Sequence, residues 1–297
     1  MWIINNRKIF YVISIILIVA SFAALVFWGL KPGIDFTGGT LIEVSYPDGR
    51  PDQADITSIL KDLDSSVSAR PAGEDSYIIR MKAINQNERV VIMNALNFNG
   101  TREVVEKTFD SIGPVLGVEA LRKAVVSVIL VIVGIVMFIT FAFRKVSEPL
   151  SSWKYGIVAI VALIHDVIIP VGVFAILGHY LGYEVDTLFV TALLVILGFS
   201  VHDTIVVFDR VRENLSRLKR GKSFAEVVGE SISQTFTRSI NTSLTTLIAL
   251  LVLYIFGGPA TQHFSLALII GIAAGTYSSI FVGSPLLVTI ERWRRNR

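Results

Sequence analysis

Three ionisable residues stand in stretches of the chain that are otherwise apolar: Asp166, Asp203 and Arg238. Asp166 follows His165, Asp203 follows His202, and Arg238 opens an uncharged run of its own. A charged side chain in a membrane span costs about 2.5–3.5 kcal/mol on insertion scales, so each needs a partner or a task. A desolvated carboxylate beside a movable cation has the chemistry of a proton carrier. As Arg238 approaches, ionised Asp203 is favoured; as it retreats, the protonated form is favoured. Arg238 also heads a stripe with Asn241, Thr242 and Thr245, a polar helix face that suggests a hydrated path inside a bundle. Counting rise from the outer helix ends puts Asp203 roughly 26 Å down and Arg238 roughly 29 Å down, nearly one level. A purely structural reading makes the two an ion pair that locks neighbouring helices. Asp166 equally suits a hydrogen bond to a neighbouring helix, while His165 and His202 read as packing or headgroup-facing side chains.

The elements that carry these residues are membrane spans. Of 297 residues, 53% are hydrophobic and only 17% charged, and the charges cluster between long apolar runs. Six segments reach the roughly 20 residues that a helix needs to cross a bilayer: 9–30, 124–143, 155–178, 187–208, 238–257 and 264–288. The first exceeds the core of a signal peptide and is expected to stay uncleaved. Basic residues set the orientation. Arg7, Lys8, Arg144, Lys145, Lys154, Arg210, Arg212, Arg217, Lys219, Arg220, Lys222, Arg292, Arg294, Arg295 and Arg297 mark the inner side. Loops 179–186 and 258–263 contain no Lys or Arg, whereas Arg122 and Lys123 at the outer end of span two run against the rule. Both termini are thus expected in the cytoplasm. The basic residues belong at the membrane surface rather than to a nucleic-acid interface. With no cysteine, disulfides and thiolate metal sites are excluded, and no metal site is expected.

Three regions follow: 1–30 with the first span, 31–120 outside, and 121–297 with spans two to six. The outer region is acidic, with 9 Lys and Arg against 14 Asp and Glu. Ile42, Val44 and Tyr46 alternate with polar residues as a strand. Ile56, Ile59, Leu60 and Leu63 take helical spacing after Asp52 as N-cap. Val67 and Ala69 form a short strand that Pro71-Ala72-Gly73 turns, and Tyr77, Ile79 and Met81 form a third. A helix over 86–98 and a strand over 101–109 complete a β-α-β-β-α-β order. The expected fold is therefore an all-α membrane bundle of six helices, with an α+β ferredoxin-like extracytoplasmic domain between helices one and two. Gly271, Gly275, Ser279 and Gly283 recur every four residues in span six, a small-residue seam for close helix packing. Span two is uniformly apolar and is expected to face lipid.

Three stretches carry a resemblance. GIDFTGG at 33–39, with Gly33, Asp35, Gly38 and Gly39, lies just outside span one. FSVHDTIVVFDRVREN covers 199–214 in span four, and TRSINTSLTT covers 237–246 in span five. With six spans and one large first outer loop, the chain resembles the SecD/SecF family of the resistance–nodulation–division superfamily over essentially its whole length. The resemblance implies an auxiliary subunit of bacterial Sec protein export in the cytoplasmic membrane, with protons as coupling ion and no other cofactor. It implies a separate SecD partner, the SecY-SecE-SecG translocon and a translocating preprotein as further partners. It assigns Asp203 and Arg238 to the proton path and is not extended to Asp166; from the residues themselves, Asp166, His202, Asn241 and Thr242 are possible additional polar sites. His202 stands where many relatives have Asn. Two other classes compete: an assembly subunit whose outer domain only docks, and an intramembrane aspartyl protease. The protease class expects Gly-x-Gly-Asp where this chain has Ser200-Val201-His202-Asp203, and a depth difference of roughly 9 Å between Asp166 and Asp203 suits no shared-proton dyad.

Overall fold

A computed structural model describes residues 1–143, 150–216 and 222–295. In chain order it contains α1 (Trp2–Asn5), α2 (Arg7–Trp28), α3 (Ile34–Thr37), β1 (Gly39–Ser45), α4 (Gln53–Lys61), β2 (Ser68–Ala72), β3 (Ser76–Met81) and α5 (Gln86–Leu96). After a 3-10 turn come β4 (Val105–Ile112), α6 (Pro114–Ala142), α7 (Ser152–Tyr180), α8 (Thr187–Ser216), α9 (Phe224–Phe256) and α10 (Pro259–Ser278). A π-helical turn, Ser279–Gly283, then joins α10 to α11 (Ser284–Arg295). The chain divides into two compact units, Met1–Lys31 with Val126–Arg297, and Pro32–Val125.

Among the described residues, six helices are long and apolar enough to cross a membrane, the last running through the π turn to Arg295. They differ in burial. The most apolar windows of α7, α8 and the last helix are 56%, 50% and 61% buried, against 17%, 6% and 17% for α2, α6 and α9. The third, fourth and sixth spans therefore form the centre. Against it, α2 turns a face of Ser14, Ser21 and Ala24. At Gly172 of α7 a Cβ would lie only 2.3 Å from that of Ser21, so the two backbones touch.

Several helices outrun the expected spans. The fourth continues to Ser216 and the fifth starts at Phe224, because their polar ends are locally supported. Arg210 pairs with Glu213 at 2.7 Å, and Arg212 pairs with Asp209. Ser223 and Glu226 close a capping box on α9. The second span begins at Pro114 rather than 124, carrying Arg122 and Lys123 on its first turns, where Lys123 bridges Glu119 at 2.8 Å. Of the basic residues used for orientation, Arg144, Lys145, Arg217, Lys219, Arg220 and Arg297 lie outside the described residues.

The second unit holds a four-stranded antiparallel sheet in the order β2-β3-β1-β4, with two helices inserted as β-α-β-β-α-β. Ile42, Val44, Tyr77 and Ile79 of the sheet share one core with Ile56, Leu60, Ile92 and Leu96 of α4 and α5. Tyr46 donates to the Leu96 carbonyl at 3.1 Å, and burial beside Tyr77 pushes its hydroxyl pKa up to about 12. Some boundaries move. Asp52 stands at the N-cap of α4 but makes no side-chain cap, and Leu63 falls past the helix. Pro71 and Ala72 pair with Tyr77 and Ser76 in β2, so the reversal comes at Gly73–Asp75. The last strand begins at Val105 rather than 101. Gly33, at the N-cap, and Asp35, in the first turn, start the short helix α3. Gly38 and Gly39 follow with φ of +73° and +127°. A Cβ on Gly38 would sit 2.6 Å from Pro114 Cα, and one on Gly39 would sit 2.9 Å from the Met81 carbonyl oxygen. Left-handed backbone and close approach both demand glycine there.

Candidate functional site

Small side chains let the central helices meet. A Cβ on Gly271 would fall 2.2 Å from Ile196 Cδ1, and one on Gly275 would fall 3.1 Å from Ser200 Cβ. Next in the ladder, Ser279 Oγ lies 3.1 Å from Thr204 Oγ1. The partners advance together by four residues on each helix, so the fourth and sixth spans run parallel along this seam. Gly283, the last member, meets nothing closer than 3.6 Å.

Asp166 sits inside the seam, with no exposed surface. Its Oδ2 accepts hydrogen bonds from Ser200 of α8 and, at 2.8 Å, from Ser278 of α10. Its Oδ1 lies 2.8 Å from His165 Nδ1, which carries a proton when it faces an ionised carboxylate. Gly275 lies alongside, where a Cβ would stand 3.5 Å from Oδ2, in ordinary van der Waals contact. His165 is itself buried and stacks on Tyr277 with ring centres 6.0 Å apart. The histidine thus packs, and it also bonds the carboxylate.

Asp203 is held differently. It is buried on α8 with Ser200, Thr204 and Val207. Ser243 of α9 donates to its Oδ2 at 3.4 Å, and Thr276 of α10 donates to Ser243 Oγ at 2.6 Å. Thr276 Oγ1 is also 2.8 Å from the Ile272 carbonyl. One hydroxyl proton serves one acceptor at a time, so this relay has two settings. Among the described residues the carboxylate's side-chain contact is with Ser243 rather than Arg238.

The fifth span has two polar faces. Ser231, Thr235, Ser239 and Ser243 are buried at four-residue spacing. Arg238, Asn241 and Thr245 are exposed, and Thr242 is half-buried. The stripe headed by Arg238 thus lies on the outside of this chain, as does His202. Ser243 is five residues outward of Arg238, about 7.5 Å along the helix. A contact at Ser243 therefore puts Arg238 about 7.5 Å along α9 from the level of Asp203, rather than the roughly 3 Å that the depths counted from the helix ends imply. Asp166 and Asp203 share no donor among the described contacts, which gives a two-carboxylate dyad no support. No group of three or more His, Cys, Asp or Glu among the described residues is placed to hold a metal.

Ser200, Ser278, Ser243 and Thr276 were not anticipated. Four-residue spacing of hydroxyls in α9 was the available signal, and the partners of Asp166 carried none, since they come from two other helices.

Six membrane helices, an α/β domain after the first and carboxylates buried between the central spans define a polytopic membrane protein with an ionisable core. Residues 92–293 match the family model of the SecD/SecF protein export membrane protein, C-terminal part, and residues 23–46 match the SecD/SecF GG motif. The chain is 43% identical to protein translocase subunit SecF of Thermobaculum terrenum, across 97% of this chain and 93% of that protein. The crystal structure of SecDF from Thermus thermophilus, a translocon-associated membrane protein, matches 99% of this chain at 30% identity with a TM-score of 0.82. This chain spans 38% of that one. SecDF in its super-membrane-facing form matches 99% of this chain and 39% of its own at 29% identity, with a TM-score of 0.68. The chain belongs to the SecD/SecF family of protein export membrane proteins, with an auxiliary role in protein export.

Proposed function

We propose that this chain works with SecD to convert the proton gradient into outward movement of preproteins through the SecY-SecE-SecG channel. The observation that carries this reading is Asp203, a buried carboxylate reached by a hydroxyl relay from Ser243 and Thr276. Proton exchange at such a group changes charge where charge is costly, so it biases the packing of α8 against α9. Arg238, on the open face of α9, supplies the cation whose approach favours ionised Asp203. Protons are the only coupling species the scheme requires.

The outer domain is a ferredoxin-like unit, which its β-α-β-β-α-β order and β2-β3-β1-β4 sheet support, and it is the part proposed to meet the exported chain or its partner. Basic residues at the proposed inner ends, Lys154 and Arg292 among them, support cytoplasmic termini and an outer domain beyond a bacterial cytoplasmic membrane. Asp203→Asn in membranes that also contain SecD tests the scheme. Export driven by the proton-motive force should be lost while the complex still assembles. Unchanged export in an assembled complex sinks the proton reading and leaves the chain an assembly subunit.

A further inference from the structure

We propose that Asp166 is a positioning residue: its carboxylate clamps the third, fourth and sixth spans together and sets the face that α8 presents to α9, without itself carrying the transported proton. The inference rests on the reading of Asp203 as the proton-exchanging group, and it concerns a residue that reading leaves unused.

Three donors on three helices converge on this one side chain: His165 from its own helix, Ser200 from α8 and Ser278 from α10. All four residues are buried. Ser200 lies three residues before Asp203 on the same buried face of α8, so the bond to Ser200 fixes the rotation at which Asp203 meets Ser243. Ser278 is the last residue of α10 before the π turn, and its bond anchors the sixth span where the helix is wound most loosely. Pro170, four residues on from Asp166, has no N–H for the Asp166 carbonyl, so α7 is also loosened at this level. The clamp thus pins three helices at a level where two of them have irregular backbones.

His165 supplies the observation that separates holding from proton transfer. Its Nε2 is buried and has no hydrogen-bond partner among the described residues. A proton relay needs an onward acceptor or donor, and none among the described residues faces Nε2. A clamp needs only Nδ1. The unpartnered Nε2 also leaves the tautomer free to change, because nothing among the described residues on that side holds one form.

This predicts an unusual tolerance. In Asp166→Asn the amide oxygen can accept from Ser200 and Ser278, while the amide nitrogen donates to His165 Nδ1 after the ring proton moves to Nε2. In Asp166→Leu every one of these bonds is lost and buried hydroxyls are left unpaired. With SecD present in native membranes, Asp166→Asn should retain proton-driven export within about threefold of wild type, and Asp166→Leu should lose about tenfold or more. The chain has no cysteine, so a pair at Thr204→Cys and Ser279→Cys reports the α8–α10 seam directly by oxidative cross-linking. Its yield should fall with Asp166→Leu and recover with Asp166→Asn. If the leucine variant does not assemble, the double variant Ser200→Ala and Ser278→Ala removes two donors and keeps the carboxylate; it should lower both readouts. Asp166→Asn as inactive as Asp166→Leu in an assembled complex overturns the proposal, because ionisation is then required. Unchanged cross-linking in the leucine or double-alanine variant overturns it as well. Asp203→Asn, run in parallel, isolates the underlying reading: if it exports normally the proton scheme fails, and the cross-linking arm still decides whether Asp166 is the clamp.

Discussion

Carboxylates in this chain differ in how firmly their surroundings hold them, and the donors explain the difference. Asp166 has hydroxyls and an imidazole from three helices, whereas Asp203 has one hydroxyl at 3.4 Å. Asp64, in the α/β unit, accepts the Lys82 amide at 2.8 Å, the Ser66 amide at 2.9 Å and the Ser66 hydroxyl at 2.7 Å. Burial works to raise its pKa, and these donors outweigh burial, so the carboxyl titrates below its ordinary value of 3.8. A depressed folded pKa means the unfolded chain binds the proton more readily. The resulting stability is fully present above the ordinary carboxylate range and is lost as pH falls through the lower folded value. Stability of the α/β unit should therefore exceed that of Asp64→Ala near neutrality, and the gap should close in acid. Unfolding of the full chain followed at several pH values checks this. A gap that stays constant down to about pH 2 would contradict the assignment.

At the scale of elements, the seam between the fourth and sixth spans depends on Gly271. A Cβ there would meet Ile196 at 2.2 Å from Cδ1 and 2.9 Å from Cγ2, so the isoleucine cannot escape by moving its tip alone. Overpacking of this kind costs about 1–3 kcal/mol. Gly271→Ala should lower the unfolding temperature of the purified chain, and adding Ile196→Ala should recover part of the loss. Equal loss in single and double variants would mean that the strain lies elsewhere. The seam was legible in the sequence because small residues every four positions have one geometrical use. The six spans and the α/β unit's element order were legible for a similar reason, since apolar length and alternation are local properties. The π turn was not: Ser279 and Gly283 fit an unbroken four-residue repeat, and only the backbone bonds reveal the extra residue. Helix starts were misplaced at Pro114 and Phe224 because polar turns continue a helix that hydropathy ends at the membrane surface, whereas the run of α8 to Ser216 agrees with an amphipathic extension after span four that the charges at 209–213 suggest. The donors to Asp166 were invisible because Ser200 and Ser278 meet it only through tertiary packing.

For the whole molecule, the arrangement of α9 is the strongest argument that this chain is incomplete alone. Its buried face is lined by Ser231, Thr235, Ser239 and Ser243, all small, while Arg238, Asn241 and Thr245 are exposed on a helix that spans the bilayer. Arginine and asparagine facing hydrocarbon are costly, and a second set of helices removes that cost by supplying acceptors. The exposed apolar residues of α6, such as Ile129, Leu130 and Met137, need no such cover. The partner surface should therefore run along α9 and the adjoining His202 of α8, rather than along α6. In the cysteine-free background, Asn241→Cys should react readily with a small thiol reagent when the chain is expressed without SecD. Coexpression should slow that reaction about tenfold or more, as burial in a protein interface excludes the reagent. Met137→Cys on α6 should react at the same rate with and without SecD. Protection at position 137 and none at 241 would put the partner on the opposite side and detach Arg238 from any shared path.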